Sequence, residues 1–176
     1  LSAACTPRLR SMVRMAGEDA RPTIKGKKEI FMPSQQLLKN TMFEAAEAAQ
    51  KILLKYYGKL ESIEKKGGDE TNIVTIADKQ SEAAVIRTIH RAFPGHAILG
   101  EEGGASGADD AEFRWVIDPL DGTTNFAHSM PVFSISIGLQ RQGEMIMGLV
   151  VDPTRDEWFF ARKGGGAFLN RKRIHV

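Results

Sequence analysis

The chain has 176 residues, 42% of them hydrophobic and 26% charged, with a formal net charge of +2, the make-up of one globular domain able to bury a core. No apolar run approaches the roughly 18 residues that cross a bilayer, so no membrane partner is expected. The single cysteine, Cys5, cannot form an internal disulfide, which favours a reducing compartment and a cytoplasmic location.

Residues 1–33 show no apolar periodicity. They hold seven Lys or Arg against three acids, a net +4, which leaves −2 on residues 34–176. The basicity belongs to this leader, so no nucleic-acid footprint is expected on the folded part. The first sixteen residues carry three Arg, two Ser and no acid. That is transit-peptide composition, so residues 1–33 read as a disordered or transit-like leader, with an organellar location as the alternative.

Ser34 is placed as an N-cap. From Gln35 to Tyr57 the apolar positions Leu38, Met42, Ala45, Ala49, Ile52 and Tyr56 recur every three or four residues, which predicts an amphipathic helix ended by Gly58. Residues 61–72 are polar and glycine-containing and read as a loop or hairpin turn. Ile73-Val74-Thr75-Ile76-Ala77-Asp78 follows. A second helix is expected from about Lys79 to Phe93, with Ala83, Ile86, Ile89 and Phe93 on one face and Pro94-Gly95 as its stop. Ala97-Ile98-Leu99 reads as a short strand, residues 105–112 as a surface loop, and Phe113 to Ile117 as a buried strand. Strands are then expected at Val132–Gln140, Met145–Val151 and Glu157–Ala161, followed by a short hairpin over residues 167–174. Two helices followed by a meander of strands is an α+β order.

Four acidic positions stand beside glycine turns or strand ends: Asp78, Glu101 or Glu102, Asp118 and Asp121. Asp78 is most simply a helix N-cap, and Glu101-Glu102 in a glycine-flanked loop is most simply turn charge. The segment Asp118-Pro119-Leu120-Asp121-Gly122-Thr123-Thr124-Asn125-Phe126 is harder to explain as a turn, because a turn does not need two Asp and Gly-Thr-Thr together. Carboxylate and carbonyl oxygens suit a hard cation such as Mg²⁺, and a glycine turn into a helix start suits phosphate. Carboxylates brought together repel unless a cation stands between them. One Cys and four scattered His offer no zinc spacing. Gly164-Gly165-Gly166 lacks the context of a P-loop, and no G-x-S-x-G elbow surrounds Ser134 or Ser136. His128 reads as a surface residue that could also line the mouth of the site.

The same segment, with Gly100-Glu101-Glu102 upstream, Thr75-Ile76-Ala77-Asp78 before it and Gly166-Ala167-Phe168-Leu169-Asn170 after it, resembles the inositol monophosphatase family. These are Mg²⁺-dependent, lithium-sensitive phosphatases of small phosphate monoesters. The resemblance implies the N-terminal part of a layered α-β-α-β-α sandwich, here two helices packed on a mostly antiparallel sheet. It implies that Glu101, Asp118 and the Leu120 carbonyl hold one metal, and that Asp118 and Asp121 hold a second. Gly122 and Thr123 would present N–H groups to phosphate, and Thr123 paired with Asp78 would orient and deprotonate the attacking water. The implied partners are a small phosphate monoester and a second copy of the chain.

The family pattern continues into an α/β half that carries a Trp-Asp-x-Ala-Ala-Gly-like segment, absent from these 176 residues. The expectation is a truncated phosphatase domain over residues 34–176 with weak or no activity as written. Inositol monophosphate is the first expected substrate. Histidinol phosphate, fructose 1,6-bisphosphate and 3′-phosphoadenosine nucleotides are the alternatives, and a non-catalytic binding remnant is the rival from another class.

Overall fold

The computed structural model describes residues 33–59, 70–101 and 103–175. The expectations for the leader up to residue 32, for the turn at 61–69 and for Glu102 lie outside the described residues.

Helix α1 spans Gln35–Tyr56. Its start follows the capping rule: the Leu37 N–H donates to the Ser34 hydroxyl at 3.1 Å, satisfying a donor that the helix cannot. Its end follows the C-terminal glycine rule, with Gly58 at φ +73 just past the last turn. Leu38, Met42, Ala45, Ala46, Ala49 and Leu53 are buried along one stripe, while Ile52 and Tyr56 sit at its margin, half-buried. Three of the seven buried residues of α1 are alanines, and Ala77, Ser81 and Ala84 are small buried residues of the second helix. These two helices pack against each other, and short side chains let their backbones approach.

The second helix, α2, spans Glu70–Ala92 and begins nine residues before the expected Lys79. Residues 70–72 are therefore helix rather than turn, and Asp78 lies inside the helix rather than capping it. The run Ile73–Ile76 is β-branched throughout, and the helix continues through it. Such residues cost a helix only a few tenths of a kcal/mol each, too little to end it. The buried face is also rotated from the expected one. Ala77, Ser81, Val85, Ile89 and Phe93 point inward, whereas Ala83 and Ile86 are half-buried.

One eight-stranded sheet completes the fold, with strands β1 (Ala97–Gly100), β2 (Ala105–Ser106), β3 (Phe113–Asp121), β4 (Ser134–Arg141), β5 (Glu144–Asp152), β6 (Glu157–Arg162), β7 (Gly166–Leu169) and β8 (Lys172–Ile174). The order is β2-β1-β3-β4-β5-β6-β7-β8. Among the described strands only β1 and β3 run parallel; the other neighbours are antiparallel. The two-residue strand β2 falls in the segment expected to be loop. A five-residue helix, α3 (Thr123–Ala127), follows β3.

The expected α+β arrangement, two helices on a mostly antiparallel sheet, is the arrangement found. Alternation along the strands sends Phe113, Trp115, Ile117, Ile135, Ile137, Leu139, Leu149 and Phe160 toward the helices. The opposite face carries Leu99, Val150 and Phe159, all partly exposed. At the end of α2, His96 is stacked between Phe93 and Phe113, with ring centroids at 4.5 and 4.7 Å. The Trp115 indole N–H donates to its Nδ1 at 3.0 Å.

Candidate active site

Strand β3 carries both motif aspartates, and its register decides where they point. Asp118 pairs with Ser136, but Asp121 pairs with Ser134, so three steps along β3 oppose two along β4. One extra residue is accommodated between them, a β-bulge. In a regular strand, residues three apart face opposite sides of the sheet. The extra residue resets the alternation and returns Asp121 to the side of Asp118. Burial follows the slip: Ile117 is buried, Asp118 half-buried, Pro119 and Leu120 both buried, and Asp121 exposed. Pro119 has no N–H to give to a ladder, and a bulge is where an interior strand tolerates that loss. Strand β1 has already ended opposite Ile117, so β4 is the remaining neighbour there.

The electrostatics of Asp118 reflect its surroundings. Its carboxyl is pushed up from 3.8 to about 6, first by desolvation, then by the charge of Glu101, with smaller contributions from Asp121 and from a hydrogen bond with the Glu101 side chain. The Leu120 N–H donates to Asp118 Oδ1 at 3.2 Å and opposes the shift. The predicted residues Glu101 and Asp121 therefore both act electrostatically on Asp118. No group of three His, Cys, Asp or Glu side chains poised for a metal exists among the described residues. The donor chemistry nonetheless fits a hydrated Mg²⁺. Such an ion takes one or two carboxylates and keeps several waters, and a cation would relieve the repulsion that raises Asp118.

The turn after Asp121 is built to its residues. Gly122 sits at φ +93, and a Cβ there would lie 3.0 Å from the Val132 carbonyl oxygen and 3.2 Å from Phe133 Cα. Gly122 precedes α3, whose first-turn N–H groups have no intrahelical acceptors. The Thr123 hydroxyl donates to the Leu120 carbonyl at 3.3 Å, leaving that oxygen its second lone pair.

Helix α3 is anchored by the motif's last residues. Phe126 is fully buried and packs edge-on against Phe133 with centroids 5.0 Å apart. Tyr57 lies against both rings and donates its hydroxyl to the Ser129 carbonyl at 2.8 Å. The Asn125 amide donates to the Val132 carbonyl at 2.7 Å. Asn125 and Phe126 thus hold the turn in place.

Asp78 is half-buried on α2, which packs against α3, the helix that opens with Thr123. The Ser81 hydroxyl donates to the Asp78 carbonyl at 2.8 Å. His128 is exposed. A groove of about 750 Å³ lies elsewhere, between α1 and strands β6 and β7 with their flanking turns. It shares no residue with the carboxylates, and a groove's size is a weaker guide to a candidate site than its donor chemistry. Sequence reasoning missed the bulge, because register depends on a partner strand. Pro119 directly after an aspartate was the available signal.

The sequence model of the inositol monophosphatase family matches residues 34–176. A protein of Synechocystis sp. named inositol-1-monophosphatase is 47% identical over 152 residues, covering 85% of this chain and 52% of its own length. A Pseudomonas aeruginosa protein named Nus factor SuhB is 38% identical over 143 residues, covering 80% of this chain and 53% of its own. The solved structure of an inositol monophosphatase from Anabaena (Nostoc) sp. superposes with a TM-score of 0.69 at 44% identity, covering 80% of this chain and 50% of that one. The chain spans about half the length of these relatives. Among the described residues no helix is long and apolar enough to cross a membrane.

Proposed function

The chain belongs to the inositol monophosphatase family, and on that premise we propose that residues 34–176 carry the metal- and phosphate-binding part of a Mg²⁺-dependent phosphatase of small phosphate monoesters, inositol monophosphate first. The observation that carries the proposal is the raised Asp118 carboxyl, facing Glu101 and brought to one side of the sheet with Asp121. Glu101, Asp118 and the Leu120 carbonyl would hold one Mg²⁺, and Asp118 with Asp121 a second. Bound there, the metal supplies a lowered water pKa and charge neutralisation at the phosphate. Gly122 and Thr123 receive the phosphate oxygens on first-turn N–H groups. The Thr123 hydroxyl turns from Leu120 toward Asp78, and the pair orients the attacking water and takes its proton. Hydrolysis is direct, with no phosphoenzyme. A reducing compartment, lithium inhibition and a homodimer belong to the same proposal. The name Nus factor belongs to the P. aeruginosa relative. The net −2 of residues 34–176 favours a small-molecule substrate here over nucleic acid.

The test is phosphate release from inositol monophosphate and from the histidinol, fructose and phosphoadenosine esters, with and without Mg²⁺. Metal-dependent release that Asp121→Asn lowers at least ~100-fold, the scale of losing a charge-stabilising group, supports the proposal. Release that is indifferent to Mg²⁺ or to Asp121→Asn overturns it. No release from any ester by a chain that binds Mg²⁺ favours the binding remnant.

A further inference from the structure

Glu82 is the one acid classed as buried among the described residues, 5% exposed. It stands on α2 four residues after Asp78, one helical turn further along and on the same side. Its carboxylate lies against the loop that leaves β1. A Cβ on Gly100 would come 2.8 Å from Glu82 Oε2, and one on Gly103 would come 2.7 Å from Oε1. These two glycines bracket Glu101. The loop closes on itself through the Gly100 N–H, which donates to the Gly104 carbonyl at 2.9 Å. The backbone at Gly100 and Gly103 thus lies against the Glu82 carboxylate, and a side chain at either position would have to displace it.

A carboxylate buried this deeply is costly unless its surroundings hold it. A helix surface that needed only packing would carry an apolar side chain there. The geometry points to a positional role: we infer that Glu82 is a positioning residue of the metal site, acting through Glu101 by clasping the loop that brings Glu101 to Asp118. It also ties that loop to the helix bearing Asp78, so the two sides of the site share one rigid support. The inference rests on the reading of Glu101 as a metal ligand.

The test is Mn²⁺ binding to the 176-residue chain, read from the paramagnetic resonance of the free ion, with melting temperature measured in parallel. Glu101→Gln is expected to weaken binding at least ~10-fold, and Glu82→Gln by about 10-fold, the lower end of the range for residues that orient a ligand. In the Glu101→Gln background, Glu82→Gln should add less than about twofold, because its effect passes through Glu101. Gly100→Ala should weaken binding too, and Glu82→Asp in the same chain should restore part of the loss by withdrawing the oxygen that the new methyl meets. Three results overturn the inference: Glu82→Gln lowering the melting temperature with unchanged Mn²⁺ affinity, an equal loss in both backgrounds, or a Gly100→Ala defect that Glu82→Asp does not relieve. The last holds even if Glu82→Gln does not fold. No binding by the unmutated chain, or no loss with Glu101→Gln, overturns the metal reading itself.

Discussion

Asp118→Asn should stabilise the metal-free protein while removing its response to Mg²⁺. Burial and two neighbouring carboxylates lift the Asp118 carboxyl from 3.8 to about 6. Between those two values the folded state binds more protons than the unfolded one. Stability therefore falls as pH rises through this window, and the whole penalty is present above about pH 6. A shift of about two units corresponds to about 3 kcal/mol at most. Asp118 is only half-buried, and solvent screening reduces that to about 1–2 kcal/mol. Asparagine keeps an Oδ1 for the Leu120 N–H, now at 3.2 Å, and removes the charge. For a chain of this size the gain corresponds to a melting temperature about 2–8 °C higher. The assay is thermal unfolding by circular dichroism in chelator and in excess Mg²⁺, near pH 8 and near pH 5. The variant should melt above the unmutated chain at the higher pH, the difference should shrink at the lower, and Mg²⁺ should raise only the unmutated chain. A variant that melts at or below the unmutated chain near pH 8 in chelator would refute the reasoning.

Two further outcomes follow from the same geometry. His96 works in the opposite sense: burial lowers its imidazole from 6.5 to about 4, so its contribution is complete above pH 6.5 and is lost as pH falls through 4. In the Asp118→Asn background, which removes the opposing limb, acidification should cost about 1–2 kcal/mol after allowance for partial exposure. His96→Gln, which keeps an acceptor for the Trp115 indole, should flatten that loss in urea melts; an unchanged acid limb would assign it elsewhere. Gly122→Ala should cost more than Gly143→Ala, because Gly122 combines φ +93 with a backbone oxygen 3.0 Å from the new methyl, whereas Gly143 has φ +81 and open space. The backbone penalty alone is about 1–2 kcal/mol; equal losses in chemical denaturation would mean that the Val132 contact relaxes freely.

Local signals in the sequence translated well into structure. The cap at Ser34 and the glycine at 58 set the ends of α1 within a residue of expectation, because caps are short-range devices. The strands from β3 to β8 follow from alternation and turn residues for the same reason. The start of α2 did not, because a β-branched run costs a helix too little to mark where it begins. The candidate site was drawn from residue types, Glu101, Asp118, Asp121, Gly122 and Thr123. The reason Asp118 and Asp121 share a side was hidden, since it lies in how β3 pairs with β4. Glu82 was hidden more thoroughly: an acid on an amphipathic helix reads as a solvent-facing charge, and only the loop lying against it shows otherwise.

The bulge at Pro119-Leu120 makes the distance between the two aspartates a counted quantity. Substitutions around it change how well the pair is held. An insertion or deletion of one residue would move one carboxylate through the sheet, into the apolar layer beneath the helices, where it would oppose folding. Length is thus under stricter constraint here than identity. Variation in this segment should take the form of exchanges at fixed spacing, with gaps displaced to the turns beyond β4, away from the aspartate pair.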